Sequence, residues 1–214
     1  MGNLGLKVNY LSLEMKMNYS NDYTGYINDV LYRMCEEKPR HDDQDIVKSK
    51  LIIIGRTYSA SIQRTHQHDF SFDNAAHLLI DSDIDAWIDK LNKIDRPSET
   101  NISEILHAHK YLVEQLAKAT NRNNRSFASK YLHFHARKAV FLYDSRASMK
   151  VQECIKPEKP QLKFLNCDDI DRVYADFVVR CLYYRGKLEK QLGEQVTPRR
   201  IDNQLIGYWN PSQS

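Results

Sequence analysis

Apolar residues recur along this chain at helical spacing. Tyr26, Ile27, Val30, Leu31 and Met34 fall at i, i+1, i+4, i+5 and i+8, which predicts a first helix ending before Pro39. Residues 1 to about 21 show no such period. From about Asp45 to Arg64, Ile46, Leu51, Ile54, Tyr58 and Ile62 predict a second helix. Its middle is apolar nearly all round, as in a buried central helix. Gly55 with Ser59, Ala60 and Ser61 would admit a close neighbour. A third helical region runs from about Asp73 to Ile94, with a break near Ser82, and Pro97 ends it.

Asn101-Ile102-Ser103-Glu104 reads as a capping box for a helix reaching about Ala119. The polar Thr120–Asn124 stretch is a turn. A helix from Ser126 to Lys138 follows, then a short apolar link from Ala139 to Tyr143, then another helix from about Asp144. Lys156 to Asn166, with Pro157 and Pro160, is the linker candidate. Asp168 or Asp169 opens a long helix that Gly193 closes. Thr197-Pro198 starts the last, through Ile201, Leu205 and Tyr208. No strand is predicted. The expectation is an all-α bundle of about eight helices, one domain over 1–214, with a lobe boundary near 97–101.

Composition agrees with that pattern. Seven glycines and six prolines in 214 residues are about half the usual share, which disfavours many-turned β folds and low-complexity chains. Four cysteines without Cys-x-x-Cys suit reduced thiols and a cytoplasmic location. No apolar run, the strongly apolar Leu51-Ile52-Ile53-Ile54 included, approaches the roughly 18 residues needed to cross a membrane. Met1-Gly2 resembles a myristoylation start, but Leu6 stands where Ser or Thr is needed.

The net charge of +3 hides an uneven distribution. His66–Thr100 holds eight acids and three bases, a net −5. Asn121–Lys150 holds seven bases (Arg122, Arg125, Lys130, Arg137, Lys138, Arg146, Lys150) against Asp144, a net +6. Phe127, Tyr131, Phe134 and Tyr143 interleave with these bases. Basic and aromatic residues together suit a nucleic-acid backbone and unstacked bases; a solvated helix face over an aromatic core has the same composition.

Other chemistries find no support. His107/His109 and His133/His135 are two apart, and i,i+2 side chains on a helix diverge, so neither pair shares a metal. His66 and His68 near Asp69 would chelate only if extended. No Gly-x-Ser-x-Gly and no phosphate-binding glycine loop occurs. No metal and no cofactor is expected.

The segment Ser126-Phe127-Ala128-Ser129-Lys130-Tyr131-Leu132-His133-Phe134, followed by Tyr143-Asp144-Ser145-Arg146-Ala147, resembles the helix-hairpin-helix DNA glycosylase superfamily, in its 8-oxoguanine-glycosylase-like branch. In that family Gly-apolar-Gly-x-Lys-x-Ala opens a helix, and an aspartate starts the next one. Ser126 and Ala128 stand at the glycine positions, Lys130 at the lysine and Asp144 at the aspartate.

The resemblance implies an enzyme that excises a damaged or modified base in base excision repair. Asp144 would stabilise the oxocarbenium-like sugar, and Lys130 would give a Schiff base and lyase activity. DNA is the implied partner, contacted by Arg125, Ser126, Ala128, Arg137, Arg146 and Lys150. Tyr131, Phe134 and Tyr143 are the candidates to stack on a flipped base. The alternative is a non-catalytic helical module that binds nucleic acid or protein, such as a bacterial regulatory or defence component.

Overall fold

The chain organises its apolar stripes into nine helices and no strand among the residues that the computed structural model describes, 25–63, 70–155 and 168–207. They are α1 (25–37), α2 (Gln44–Thr57), α3 (Phe72–Ile80), α4 (Ile84–Leu91), α5 (Ile102–Thr120), α6 (Arg125–His135), α7 (Ser145–Cys154), α8 (Arg172–Leu192) and α9 (Pro198–Leu205). The expected all-α class holds. The N-terminal stretch, the His66/His68/Asp69 group, the 156–166 linker and Tyr208 lie outside the described residues. No described helix is long and apolar enough to cross a membrane.

One core cluster runs from Leu31 in α1 to Leu205 in α9. α6 passes through it: Phe127, Ala128, Tyr131, Leu132 and Phe134 are all buried. α5 packs along α6, α3 and α4, and α7 packs on α8 and α9.

The second helix stops at Thr57 rather than continuing to Arg64. Ser59 takes a left-handed φ of 51°, Ala60 N–H reaches back to Gly55 O (2.9 Å), and Ser59 N–H to Arg56 O (3.3 Å). This is a Schellman stop with serine in the usual glycine place. The returning chain passes so close that a Cβ on Gly55 would sit 3.2 Å from Ser61 Cα and 3.5 Å from the Phe127 ring. The neighbours that Gly55 admits are its own chain and α6.

The expected capping box at Asn101 does not form. Asn101 precedes α5, but its Oδ1 accepts from Ser98 N–H (2.8 Å) and its Nδ2 donates to Arg96 O (2.9 Å). The turn around Pro97 claims the carboxamide first. The third region breaks at 81–83, close to Ser82, into α3 and α4. The long helix α8 is capped by Asp171, not Asp168 or Asp169. Asp171 accepts from Val173 and Tyr174 N–H (both 3.1 Å) and from Arg125 Nε (2.7 Å). Three aspartates satisfy the local capping rule, and the tertiary partner selects among them.

α6 ends at His135, three residues early, and 140–144 form a link outside helix and strand. Its carbonyls are satisfied by side chains instead. His133 Nδ1 donates to Val140 O (2.7 Å), Tyr174 Oη to Phe141 O (2.9 Å), and Lys130 Nζ to Tyr143 O (2.6 Å). That link sets the geometry of the site.

Candidate functional site

Ser126, Ser129 and Lys130 stand at i, i+3 and i+4 on α6, so they share one face. All three grip the backbone of Tyr143. Ser129 Oγ accepts from Tyr143 N–H (2.9 Å), while Ser126 Oγ (3.2 Å) and Lys130 Nζ donate to Tyr143 O. The next residue is Asp144, the N-cap of α7. Its Oδ1 accepts from Arg146 N–H (2.8 Å) and Ala147 N–H (3.4 Å). One peptide unit thus couples the position of Lys130 to that of Asp144.

Both side chains line a cavity of about 630 Å³. Ser126, Tyr143 and Arg146 line it too. The far wall comes from Asn28 of α1, Tyr58 after α2 and Asp202 of α9. Lys130 is 3% exposed. Its Nζ also donates to Ser126 Oγ (2.8 Å). Burial lowers its pKa from 10.5 to about 8, against the opposing pull of Asp144 and Asp202; Arg199 and Arg146 push it further down. Near neutrality this lysine is still mostly ammonium, but its amine fraction far exceeds that of a surface lysine.

Tyr58 Oη donates to Asn28 Oδ1, and burial pushes its hydroxyl up to about 12. Asp202 is 6% exposed and bonded to Arg199 Nη1 (3.2 Å). Burial pushes its carboxyl up, Arg199 and Lys130 draw it down, and Asp144 adds to the rise. Asn28, Tyr58 and Asp202 were not among the expected site residues. They lie 72 to 102 positions from Lys130, beyond the reach of any local motif. The one local signal was Arg199 in the first turn of α9, against the helix dipole.

Other expected residues fall elsewhere. Tyr131 is fully buried with its hydroxyl on His41 Nε2 (2.7 Å), and Phe134 packs on Tyr32 at 4.9 Å. Of the three stacking candidates, Tyr143 lines the cavity. Ala128 is buried in the core, away from any surface a phosphate would touch. Ser126 and Ala128 sit inside α6, whereas the left-handed residue of the preceding turn is Asn121, at φ 51°. The helix needs no glycine at 126 or 128.

Several bases are already paired: Arg125 with Asp171 (2.7 Å), Arg137 with Glu36 (3.4 Å), Lys138 with Asp95 (2.8 Å) and Lys150 with Glu153 (3.3 Å). Arg137 borders a second hollow of about 320 Å³ with Phe134 and His135. Arg146 stands at the cavity with its side chain 77% exposed and its Nε 3.6 Å from Asp144 Oδ1.

The histidine pairs diverge as expected. His109 stacks on Tyr174 at 3.7 Å, while His107 meets Ser103. His133 bonds Val140 O and Tyr32 Oη (2.7 Å), while His135 packs on His41 and Tyr131. Compared with protein-family models, with curated proteins and with solved structures, the chain matches none.

Proposed function

We propose that this chain is a DNA glycosylase-like enzyme that removes a damaged or modified base, with Asp144 and Lys130 as its working pair. The observation that carries the reading is the shared cavity: a buried lysine of lowered pKa beside a carboxylate that caps the next helix. The resemblance around Ser126–Phe134 and Tyr143–Ala147 supports it.

Departure of the base builds positive charge on the sugar, and Asp144 opposes it with a carboxylate. The Lys130 lone pair forms a bond to C1′ as the N-glycosidic bond breaks, its electron pair leaving on the base nitrogen. One amine proton passes to the departing base. The C1′–O4′ bond then breaks, O4′ taking a proton from water, to give an iminium. Loss of a C2′ proton with departure of the 3′-phosphate by β-elimination cuts the strand. Tyr143 offers an aromatic face to an extruded base. Arg146, exposed beside the cavity, supplies charge for a phosphate.

The test is incubation with duplexes carrying a panel of damaged and modified bases, then borohydride trapping. Base release is expected, with a covalent adduct that Lys130→Gln abolishes. Release without an adduct removes the lyase role. No release from the panel, and no change with Asp144→Asn, removes the enzyme reading and leaves a non-catalytic binding module.

A further inference from the structure

α9 brings a second carboxylate to the cavity of Lys130 and Asp144. Asp202 borders the open volume although it is 6% exposed. A buried carboxylate near another carboxylate is costly, and an Asp at that position is unnecessary for an eight-residue helix already capped by Thr197. Its partner Arg199 is held firmly. The guanidinium lies 5.8, 5.6 and 5.5 Å from the ring centres of Tyr32, Tyr58 and Phe134, and Nε donates to Tyr32 Oη (3.0 Å). Tyr32 Oη in turn donates to His133 Nε2, whose other ring nitrogen donates to Val140 O. The network that fixes Asp202 therefore also fixes the link that carries Asp144.

We propose that Asp202 is a positioning residue of this cavity that acts through Lys130, governing whether that side chain stands as ammonium or as amine. The inference rests on reading Lys130 as the amine nucleophile. The charged and titratable groups around Lys130 are Asp144 and Arg146 of α7, Asp202 and Arg199 of α9, and Tyr58 beyond α2. The two carboxylates favour the ammonium, and the two guanidiniums favour the amine. Asp202 is the carboxylate of this set that is buried, lines the cavity and lies outside the Ser126–Ala147 motif. Removing its charge tilts the balance toward the amine and extends the reactive form to lower pH.

The test is an NMR titration of the Lys130 ε-carbon. In Asp202→Asn the midpoint should fall by roughly one pH unit, while Asp202→Glu stays near the parent. An unmoved midpoint in folded Asp202→Asn overturns the proposal. On the unmutated chain the Asp202 carboxyl carbon should inflect at the Lys130 midpoint, and a flat response there overturns it without any variant. Borohydride trapping on abasic duplex, run on the same proteins, separates the two readings. Absence of any adduct sinks the lysine chemistry, while the titration still decides the role of Asp202.

Discussion

Lys130 is held in a place that costs stability. Lowering its pKa from 10.5 to about 8 corresponds to an unfavourable contribution on the order of 3 kcal/mol below pH 8. The folded state loses this proton more readily than the unfolded state, so stability rises as pH climbs from 8 toward 10.5. Replacement by Met removes the buried charge together with its hydrogen bonds to Tyr143 O and Ser126 Oγ, which stay bonded to each other; losing the two lysine bonds costs about 1–3 kcal/mol. A net gain of about 1 kcal/mol is expected for Lys130→Met at pH 7, shrinking as pH rises to 10; urea unfolding at the two pH values measures it. Destabilisation at pH 7 would mean that the ammonium is a structural tie.

At the scale of elements, α7 depends on a residue with two duties. Asp144 caps the helix through Oδ1 and faces the cavity. Asn also caps, so Asp144→Asn should keep the melting temperature while losing base release. Asp144→Ala should lose both, at about 1 kcal/mol of stability. Thermal melts set beside a glycosylase assay separate the duties, and equal activity in the parent and Asp144→Asn would leave capping alone.

The helices themselves were legible from their spacing, because 3.6-residue periods and the signals at Pro97, Asp144, Gly193 and Thr197-Pro198 are local. Where expectation failed, a longer-range partner intervened. Arg125 chose Asp171 over its neighbours, the Pro97 turn took Asn101, and the return past Gly55 ended α2. Lys130 and Asp144 could be named because they are 14 residues apart. Asp202 and Tyr58 could not, because tertiary packing alone brings them to the cavity.

For the whole molecule, the Arg125–Asp171 pair ties α6 to the cap of α8. Burial pulls the Asp171 pKa up, but the Arg125 hydrogen bond and Tyr174 N–H hold it below the ordinary value. Its stabilisation is present above the unfolded carboxylate range near pH 4 and is lost as pH falls through the lower folded value. Arg125→Ala should destabilise the protein by about 2 kcal/mol at pH 7, with the difference from the parent shrinking below pH 4. Melts across that range check it; a constant difference would locate the effect in packing.

The ring of Tyr32, Tyr58 and Phe134 about Arg199 has a temporal side. Among the described helices, α9 is the last to leave the ribosome. Until it does, three aromatic rings from separate parts of the chain surround nothing, and the cavity lacks the wall that bears Asp202. A nascent chain can form much of its core before then, yet its cavity is completed only with α9. A product cut short before Thr197 is born with an open flank, as a substrate for quality control.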